Sequence, residues 1–243
     1  MRPQRHLHEA HRDAAHKPPP SGLGLDTAPM RRRMVERLRA DGIRCEPVFQ
    51  AMLRVPRHDF VDSALATQAY EDTSLPIGLG QTISKPSVVA RMLELLFGGA
   101  NARASGQLGQ VLEVGTGCGY QTALLAQLAR RVVSIERLVP LHAKSQRHLV
   151  PWRGDKVLLV HGDGMLGHAA LAPFDAIISA AGGDDLPPVW LDQLAVGGRL
   201  VAPTAGHGAG RSQVLLVVDR HADGFARSVY EGVHFVPLKS GTV

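Results

Sequence analysis

The chain of 243 residues contains few cysteines, which limits the ways in which it could be stabilised. Its two cysteines, Cys45 and Cys118, lie far apart and form no CxxC pair. This composition argues against a disulfide framework and against a cysteine zinc site, and it favours a reducing compartment. The sequence therefore predicts no metal.

Long apolar runs are also missing. No stretch reaches the roughly 18 apolar residues that a membrane-spanning helix requires, and the first residues contain no apolar segment of the kind found in signal peptides. Hydrophobic residues make up 44% of the chain and charged residues 20%, which is typical of a globular enzyme. We expect a cytoplasmic, monomeric protein with no membrane partner.

Excess positive charge is scarce on the main part of the chain. The net charge is +5, but residues 1–39 hold nine Lys or Arg against four Asp or Glu. The remaining residues hold eighteen of each sign. A groove for nucleic acid would place its excess of Lys and Arg on the folded domain, so no nucleic-acid partner is expected.

Residues 1–28 are rich in His, Arg, Ala, Pro and Gly and lack hydrophobic periodicity. This composition predicts a disordered basic tail. The tail contains four histidines that are candidates for binding a metal, although a solvated segment is the favoured interpretation: His6, His8, His11 and His16. This basic tail could also bind a partner or an anionic surface.

Residues 29–98 are predicted to form an N-terminal region of helices that also contains a non-helical segment. Apolar spacing indicates one helix that ends near Asp41 and a second helix from about Glu46 to Leu53. Residues 75–84 are expected to be irregular or in short extended structure, because their proline and glycines disfavour a helix.

A further helix is predicted to begin at Pro86, because proline fits the first helical position. Ser84 lies close to the cap position of this helix. Residues 98–110 are rich in Gly, Ala and Ser and are interpreted as a linker.

From residue 111 onward, apolar strands alternate with helices. Strands are predicted at 111–114, 132–135, 157–160, 174–179 and 199–202, and helices at 120–129, 138–149 and 188–194. A final pair of strands, 214–218 and 228–236, turns at Asp223-Gly224. The pattern predicts an α/β fold with a doubly wound, Rossmann-like, mostly parallel sheet, an antiparallel C-terminal hairpin and N-terminal helices. Residues 29–243 would form a single domain, with its sheet over 111–243.

The strongest motif follows the first of these strands. It reads Glu113-Val-Gly115-Thr116-Gly117-Cys-Gly119, and its glycines let the backbone turn sharply and approach a ligand closely. The G-x-G-x-G spacing differs from the G-x-G-x-x-G of dinucleotide folds. With the acidic residue before it, the motif resembles motif I of the class I methyltransferases. The alternative is a tight strand–helix turn that binds nothing.

Two further acidic residues follow the next two strands. Glu136 could accept hydrogen bonds from both hydroxyls of a ribose, or it could be a surface glutamate. Asp163 could hold an adenine amino group, or it could form an Asp-Gly turn. Because ligands of open α/β sheets bind at the carboxyl ends of strands, we predict an S-adenosylmethionine site here. The predicted cofactor-binding residues are Glu113, Gly115, Thr116, Gly117, Gly119, Glu136, Asp163 and Gly164.

A longer series of motifs resembles one family. The segment Leu75-Pro-Ile77-Gly78-Leu-Gly-Gln81-Thr82-Ile83-Ser84-Lys-Pro86 resembles the signature of the protein-L-isoaspartate (D-aspartate) O-methyltransferases. Further matches follow in order over residues 30–240: Val55-Pro-Arg57, Phe60-Val61, Ala172-Pro-Phe-Asp-Ala-Ile-Ile178, Gly197-Gly198 and Phe235-Val-Pro-Leu238. Such an ordered series is more specific than the glycine loop.

The resemblance implies transfer of a methyl group from S-adenosylmethionine to the free α-carboxylate of an L-isoaspartyl residue. The ester then closes to a succinimide, which starts repair. The implied partners are isoaspartyl-containing proteins and peptides. Ser84 matches the catalytic residue of the family, which orients the acceptor carboxylate; a helix N-cap is the alternative. The substrate-binding residues would be Ile77, Gly78, Gln81, Thr82 and Ile83.

The sequence departs from the family pattern at two places. Ala180-Ala-Gly-Gly-Asp-Asp185 stands where relatives often carry an Ala/Pro-rich loop, and its two glycines predict a looser loop. Ser87 replaces a bulkier residue, which is expected to widen the entrance to the site.

Two other functions remain open from the sequence. A class I methyltransferase acting on RNA or a small molecule would carry a basic groove or an Asn-Pro-Pro-type motif after the fourth strand, where this chain has Ser179-Ala-Ala-Gly-Gly. A non-catalytic cofactor-binding protein is the other alternative. The presence of Glu113, Glu136, Asp163 and Ser84 argues against it.

Overall fold

The computed structural model describes residues 27–206 and 212–243. Its N-terminal part consists of helices α1 (Thr27–Ala40) and α2 (Glu46–Arg54), followed by two short 3₁₀ turns, Arg57–Phe60 and Ser63–Gln68. The sequence assigned Thr27 and Ala28 to the tail, but both are helical. The rest of the predicted tail, with its four histidines, lies outside the described residues.

A small hairpin precedes the third helix. Strands β1 (Leu75–Gly78) and β2 (Gln81–Ile83) pair antiparallel and form a two-stranded sheet of their own. Helix α3 (Pro86–Phe97) begins at the predicted proline. The extended structure predicted for 75–84 is therefore confirmed.

The prediction of a linker over 98–110 is wrong, because α4 (Ala100–Ser105) forms within it. Three alanines occupy this helix, and alanine has the highest helix propensity. Gly106 ends the helix with φ of +71°, the left-handed conformation that glycine adopts at helix ends. The glycines that suggested a linker therefore flank a short helix.

The remaining chain builds one seven-stranded sheet. Its strands are β3 (Gln110–Val114), β4 (Arg131–Glu136), β5 (Val157–His161), β6 (Phe174–Ser179), β7 (Leu194–Ala205), β8 (Gln213–His221) and β9 (Gly224–Val233). Helices α5 (Tyr120–Leu128), α6 (Val139–His148), α7 (Val150–Arg153) and α8 (Pro188–Asp192) connect them. The strand order is β5-β4-β3-β6-β7-β8-β9, with β3 to β7 parallel and β8 and β9 antiparallel. The predicted fold class is confirmed.

Several predicted boundaries are wrong at the antiparallel edge. Strand β7 extends well beyond the predicted 199–202, and β9 begins at Gly224 rather than at 228. The first residues of β9 are mostly exposed and include polar ones, so they lack the apolar run that marks a buried strand. The short helix α7 was not predicted. The turn at Asp223 is confirmed.

The sheet has an apolar layer on each face. Val111 and Leu112 are adjacent in β3 but belong to different core clusters, as expected for side chains that alternate along a strand. The chain passes from β3 to β4 on one side and later to β6 on the other, so the strand order reverses at β3. Ligands of open α/β sheets bind at such a reversal, beyond the carboxyl ends of the strands. Within the described ranges, no helix is long and apolar enough to cross a membrane.

Candidate active site

A cavity of about 280 Å³ opens at the carboxyl ends of β3 and β4. This volume is close to the lower end of the roughly 300–1,000 Å³ that is typical of small-molecule sites. The hairpin β1–β2 forms one wall and the glycine loop forms another. The cavity brings together ten of the residues predicted from the sequence: Ile77, Gln81, Thr82, Ile83, Ser84, Gly115, Thr116, Gly117, Glu136 and Gly164.

The glycine loop follows β3 in a conformation that suits glycine. Gly115 and Gly117 have φ of +90° and +56°, and both line the cavity. A Cβ atom on Gly117 would lie 3.2 Å from Cδ1 of Ile77, so this glycine allows the loop and the hairpin to approach each other. Gly119 lies outside the cavity wall and instead packs closely against Leu149.

Glu136 ends β4 at the edge of the cavity and is only 5% exposed. Its Oε2 accepts a hydrogen bond from the backbone N–H of Gly117 at 2.8 Å, and its Oε1 accepts one from Leu138 at 3.0 Å. Each carboxylate oxygen can accept a further hydrogen bond. The interpretation as a surface glutamate is therefore wrong, and the carboxylate is held where it can accept hydrogen bonds from a ligand.

Glu113 is fully buried behind the glycine loop and does not line the cavity. Its carboxylate accepts hydrogen bonds from the side chains of Ser134, Thr122 and Gln121. Burial raises the pKa of Glu113 to about 7, although these hydrogen bonds oppose the rise. The structure therefore gives Glu113 a supporting position that joins β3, β4 and α5, rather than direct contact with a ligand.

Asp163 is also absent from the cavity wall. Its Oδ1 accepts a hydrogen bond from the backbone of Met165 at 2.9 Å, and its Oδ2 accepts one from Gly241 at 2.6 Å. The first bond is that of an Asp-Gly turn, the alternative considered for this motif. Its neighbour Gly164 does line the cavity, and a Cβ atom there would lie 2.5 Å from Cγ1 of Val114, so that no larger residue fits without movement.

The hairpin presents its apex and its last residues to the cavity. Leu79 has φ of +55° and is the one non-glycine residue of the described ranges with positive φ; its side chain is 58% exposed. Gly78, also at the turn, lies outside the cavity wall. The side chain of Lys144 on α6 donates a hydrogen bond to the carbonyl oxygen of Ile77 at 3.3 Å. The hairpin is thereby tied to the sheet that carries the glycine loop.

Ser84 follows β2 and lines the cavity. The N-cap of α3 is Lys85, so the interpretation of Ser84 as the helix cap is wrong. Ser87 does not line the cavity, and its hydroxyl donates a hydrogen bond to Asp72 at 2.7 Å. The expected widening of the entrance at this position therefore has no structural basis.

The glycines of 180–185 tighten this segment rather than loosen it. Gly182 donates a backbone hydrogen bond to Val236 and accepts one from Leu238, at 2.9 and 2.7 Å. Gly183 likewise exchanges hydrogen bonds with β7, through Pro203 and Ala205. A side chain at Gly182 would collide with Gln213, so glycine permits this close pairing.

Sequence reasoning missed several residues of the cavity wall. Tyr120 and Cys118 line it from the start of α5, and burial raises the pKa of both side chains. Residues 236–239 form another part of the wall. The signal for them was present, because Phe235-Val-Pro-Leu238 is one of the segments that resemble the family.

Residues 239–243 form what we term the strap. The Arg137 side chain donates hydrogen bonds to the carbonyl oxygens of Gly241 and Ser240, at 2.9 and 3.3 Å. Val243 donates a backbone hydrogen bond to Arg137 and accepts one from Val139. Together with the bond from Gly241 to Asp163, these contacts hold the strap against the end of the cavity that lies near Glu136.

The described ranges contain no group of three or more His, Cys, Asp or Glu side chains that could hold a metal ion.

Sequence relatives agree with the motifs. Residues 30–243 match the family of protein-L-isoaspartate(D-aspartate) O-methyltransferase (PCMT). A protein of Methylibium petroleiphilum named protein-L-isoaspartate O-methyltransferase is 58% identical over 243 residues, covering 100% of this chain and 89% of the relative. One of the same name from Leptothrix cholodnii is 61% identical over 246 residues, covering 99% and 84%.

Solved structures with a similar fold indicate the same family. A protein-L-isoaspartate O-methyltransferase superposes with a TM-score of 0.75 at 25% identity, covering 86% of this chain and 66% of that one. A Plasmodium falciparum chain described as such an enzyme, in complex with S-adenosyl-L-homocysteine, superposes with a TM-score of 0.73 at 25% identity, covering 86% and 98%. The chain therefore belongs to the protein-L-isoaspartate(D-aspartate) O-methyltransferase family.

Proposed function

We propose that this chain transfers a methyl group from S-adenosylmethionine to the free α-carboxylate of L-isoaspartyl residues in damaged proteins and peptides, and so initiates repair through a succinimide. The observation that carries the proposal is that one cavity is walled both by the hairpin with Ser84 and by the glycine loop with Glu136. The relatives are named for this activity, and the alternative of an RNA or small-molecule methyltransferase is not favoured.

The residues of the cavity fit S-adenosylmethionine. Glu136 has both oxygens fixed by backbone N–H groups and retains acceptor capacity for the two hydroxyls of a ribose. Gly115, Thr116 and Gly117 would bring the backbone close to the cofactor, and Gly164 lines the same cavity at a position where a side chain would collide with Val114. Asp163 is proposed to act at the adenine end through the acceptor capacity that its two backbone partners leave free. When bound, the cofactor supplies a positively charged sulfonium that carries the methyl group.

Glu113 and Gly119 are proposed to support cofactor binding indirectly. Glu113 links the strand before the glycine loop to Ser134 of β4, and Gly119 packs where the loop enters α5. Both lie outside the cavity wall. They therefore hold the loop in shape instead of touching the ligand.

The acceptor needs little activation. A carboxylate has a reference pKa of about 4 and is ionised at neutral pH, so no general base is required. Union of an anion with a sulfonium gives neutral products, which a partly dry site favours. The buried side chains of Ile77 and Ile83 supply apolar wall on the hairpin side. The principal task of the protein is then to hold the two reactants in line.

Ser84 is proposed to orient the acceptor carboxylate. Ser84 lines the cavity, and its hydroxyl makes no hydrogen bond within the part of the chain that the structure describes. It is therefore free to donate one to the substrate. A role as nucleophile would require a base within hydrogen-bond reach, and its hydroxyl has no such partner among the described residues. Gln81 and Thr82 are proposed to contact the substrate peptide from the same hairpin.

The setting of the reaction is also a proposal. We infer that the chain acts as a cytoplasmic monomer on proteins and peptides, without a nucleic-acid partner, and that residues 29–243 form its single domain. The balance of charge outside residues 1–39 supports the inference about nucleic acid.

The decisive experiment is radiolabelled methyl transfer to paired peptides that differ only in Asp versus isoaspartate. We expect label on the isoaspartyl peptide alone. Ser84→Ala should lower turnover roughly 10- to 100-fold, the value of a hydrogen bond to a charged group, while the affinity for S-adenosyl-L-homocysteine persists. Ser74→Ala is the matched control, since Ser74 is exposed on the preceding loop. Loss of cofactor affinity in Ser84→Ala would show that Ser84 is misassigned.

A further inference from the structure

Helix α3 begins two residues after Ser84, and the side chain of its N-cap residue does not cap it. Its N-cap is Lys85, which makes no side-chain cap hydrogen bond, and its first turn contains no acidic residue. The first backbone N–H groups of a helix have no partner within the helix. Serine is one of the residues that usually fills this role, and two serines, Ser84 and Ser87, flank the helix start.

Asp72 supplies the missing acceptor from 15 residues upstream. Its Oδ1 accepts the backbone N–H of Ser87 at 2.8 Å, and its Oδ2 accepts the hydroxyl of the same serine at 2.7 Å. A carboxylate at this end of a helix is also favoured by the helix dipole. The two bonds fix both the position of the helix start and the rotamer of Ser87.

The segment that carries Asp72 is itself held in place by a buried arginine. Arg57 is fully buried, and its Nε donates a hydrogen bond to the carbonyl oxygen of Ala69 at 2.8 Å, with a longer bond of 3.5 Å from Nη2 to Thr73. These two carbonyl groups bracket Asp72 in sequence. The guanidinium also stacks over the ring of Tyr120, 5.0 Å from its centroid. Since Tyr120 lines the cavity, Asp72 is positioned relative to the cavity wall.

We propose that Asp72 is a positioning residue for methyl transfer. By capping α3 from outside, it leaves the hydroxyl of Ser84 free for the acceptor carboxylate and fixes the helix onto which Ser84 leads. Without Asp72, the hydroxyls of Ser84 and Ser87 are both close in sequence to the uncapped N–H groups, and capping by Ser84 would withdraw its hydroxyl from the substrate. This inference rests on the proposed role of Ser84.

The test compares Asp72→Ala and Asp72→Asn in steady-state kinetics on an isoaspartyl peptide. Asp72→Ala should lower kcat about tenfold or more, as expected for a misplaced orienting group, with less effect on KM. Asp72→Asn keeps an oxygen acceptor and should restore most of the rate. Calorimetric affinity for S-adenosyl-L-homocysteine should stay within about twofold in both. Glu71→Ala is the control, because Glu71 is the exposed neighbour in the same loop.

Double variants separate this inference from the role of Ser84. If Asp72 acts through Ser84, the double variant should have a kcat only slightly below that of Ser84→Ala alone. If the two residues act independently, the fold-reductions in kcat of the two single variants should multiply. If Ser84→Ala keeps full activity, the proposed function of Ser84 is wrong. If Ser84→Ala is impaired and Asp72→Ala is not, the positioning role alone is wrong. Should Asp72→Ala fail to fold, Asp72→Leu, which is close in size to aspartate and also lacks an acceptor, carries the test, and full activity in this variant would overturn the inference.

Discussion

Glu136 accepts the backbone N–H of Gly117 at 2.8 Å, so the end of β4 and the glycine loop after β3 are held as one unit. The same carboxylate fixes the backbone of Leu138 at the start of the following segment. Removing it would therefore take away the acceptor that we propose for the cofactor and would also free the backbone of Gly117 and Leu138.

Glu136→Ala should weaken the binding of S-adenosyl-L-homocysteine. Hydrogen bonds to a charged group contribute about 1.5–3 kcal/mol, which corresponds to roughly 10- to 100-fold in the dissociation constant. Isothermal titration calorimetry measures the change directly. Glu36→Ala on the exposed face of α1 is the control and should leave the constant unchanged. An unaltered constant in Glu136→Ala would contradict the ribose assignment.

Glu113 should make stability depend on pH. Its folded-state pKa is raised from an ordinary 4.5 to about 7, so between these values the folded state retains a proton that the unfolded state has lost. This contribution is complete below about pH 4.5 and disappears as the pH rises through about 7, by up to roughly 3 kcal/mol. Glu113→Gln should remove the dependence.

The measurement is denaturant unfolding of both proteins across this pH range. The wild type should lose stability relative to Glu113→Gln as the pH rises, because the variant has no proton to release at this site. Parallel curves for the two proteins would mean that the buried carboxyl group does not titrate in this range.

The strap should contribute to cofactor affinity. Gly241→Pro removes the N–H that bonds Asp163 and is incompatible with the φ of +73° at this position. The substitution should release Asp163 and detach the strap. We therefore expect the dissociation constant of S-adenosyl-L-homocysteine to rise several-fold, which corresponds to about one hydrogen bond. Calorimetry again provides the measurement, and Thr242→Ala in the exposed part of the strap is the control. Tighter binding in Gly241→Pro would show that the strap obstructs the site.

Removal of residues 1–26 should leave activity on a short isoaspartyl peptide within about twofold of the full chain. The described residues that line the cavity lie between Ile77 and Lys239, so this deletion removes none of these. The deletion stops at Asp26 because helix α1 begins at Thr27. A fall of about tenfold or more in kcat/KM would place part of this segment in the site.

The sequence was most informative where function depends on local backbone geometry. The glycine loop and Glu136 both follow apolar strands, and the parallel order of those strands brings them to one cavity. The spacing of the motifs, and the rule that ligands of open α/β sheets bind at the carboxyl ends of strands, were sufficient to predict that these residues meet. The hairpin with Ser84 was found by its resemblance to a family, since no local rule predicts that it would face the glycine loop.

Contacts between distant parts of the chain account for what was missed. The carboxylate of Asp163 accepts a hydrogen bond from Gly241, which lies 78 residues away in sequence. No local sequence pattern predicts this bond, and the direction of the Asp163 side chain depends on it. The cap of α3 likewise comes from Asp72 rather than from the adjacent Ser84. Glu113 belongs to the glycine motif, but its direction depends on Ser134 in the neighbouring strand.

The separation of the two sheets has a consequence for how such a protein could change its acceptor. Among the described residues, strands β1 and β2 pair only with each other, whereas the glycine loop and Glu136, proposed to bind the methyl donor, belong to the seven-stranded sheet and its first loop. Given the substrate-binding role proposed for this hairpin, exchanging residues 79–83 should alter which molecule is methylated without breaking any strand pairing of the seven-stranded sheet. Substitutions that change the acceptor can then accumulate without changing the donor site, because the two sites are built on separate β-sheets.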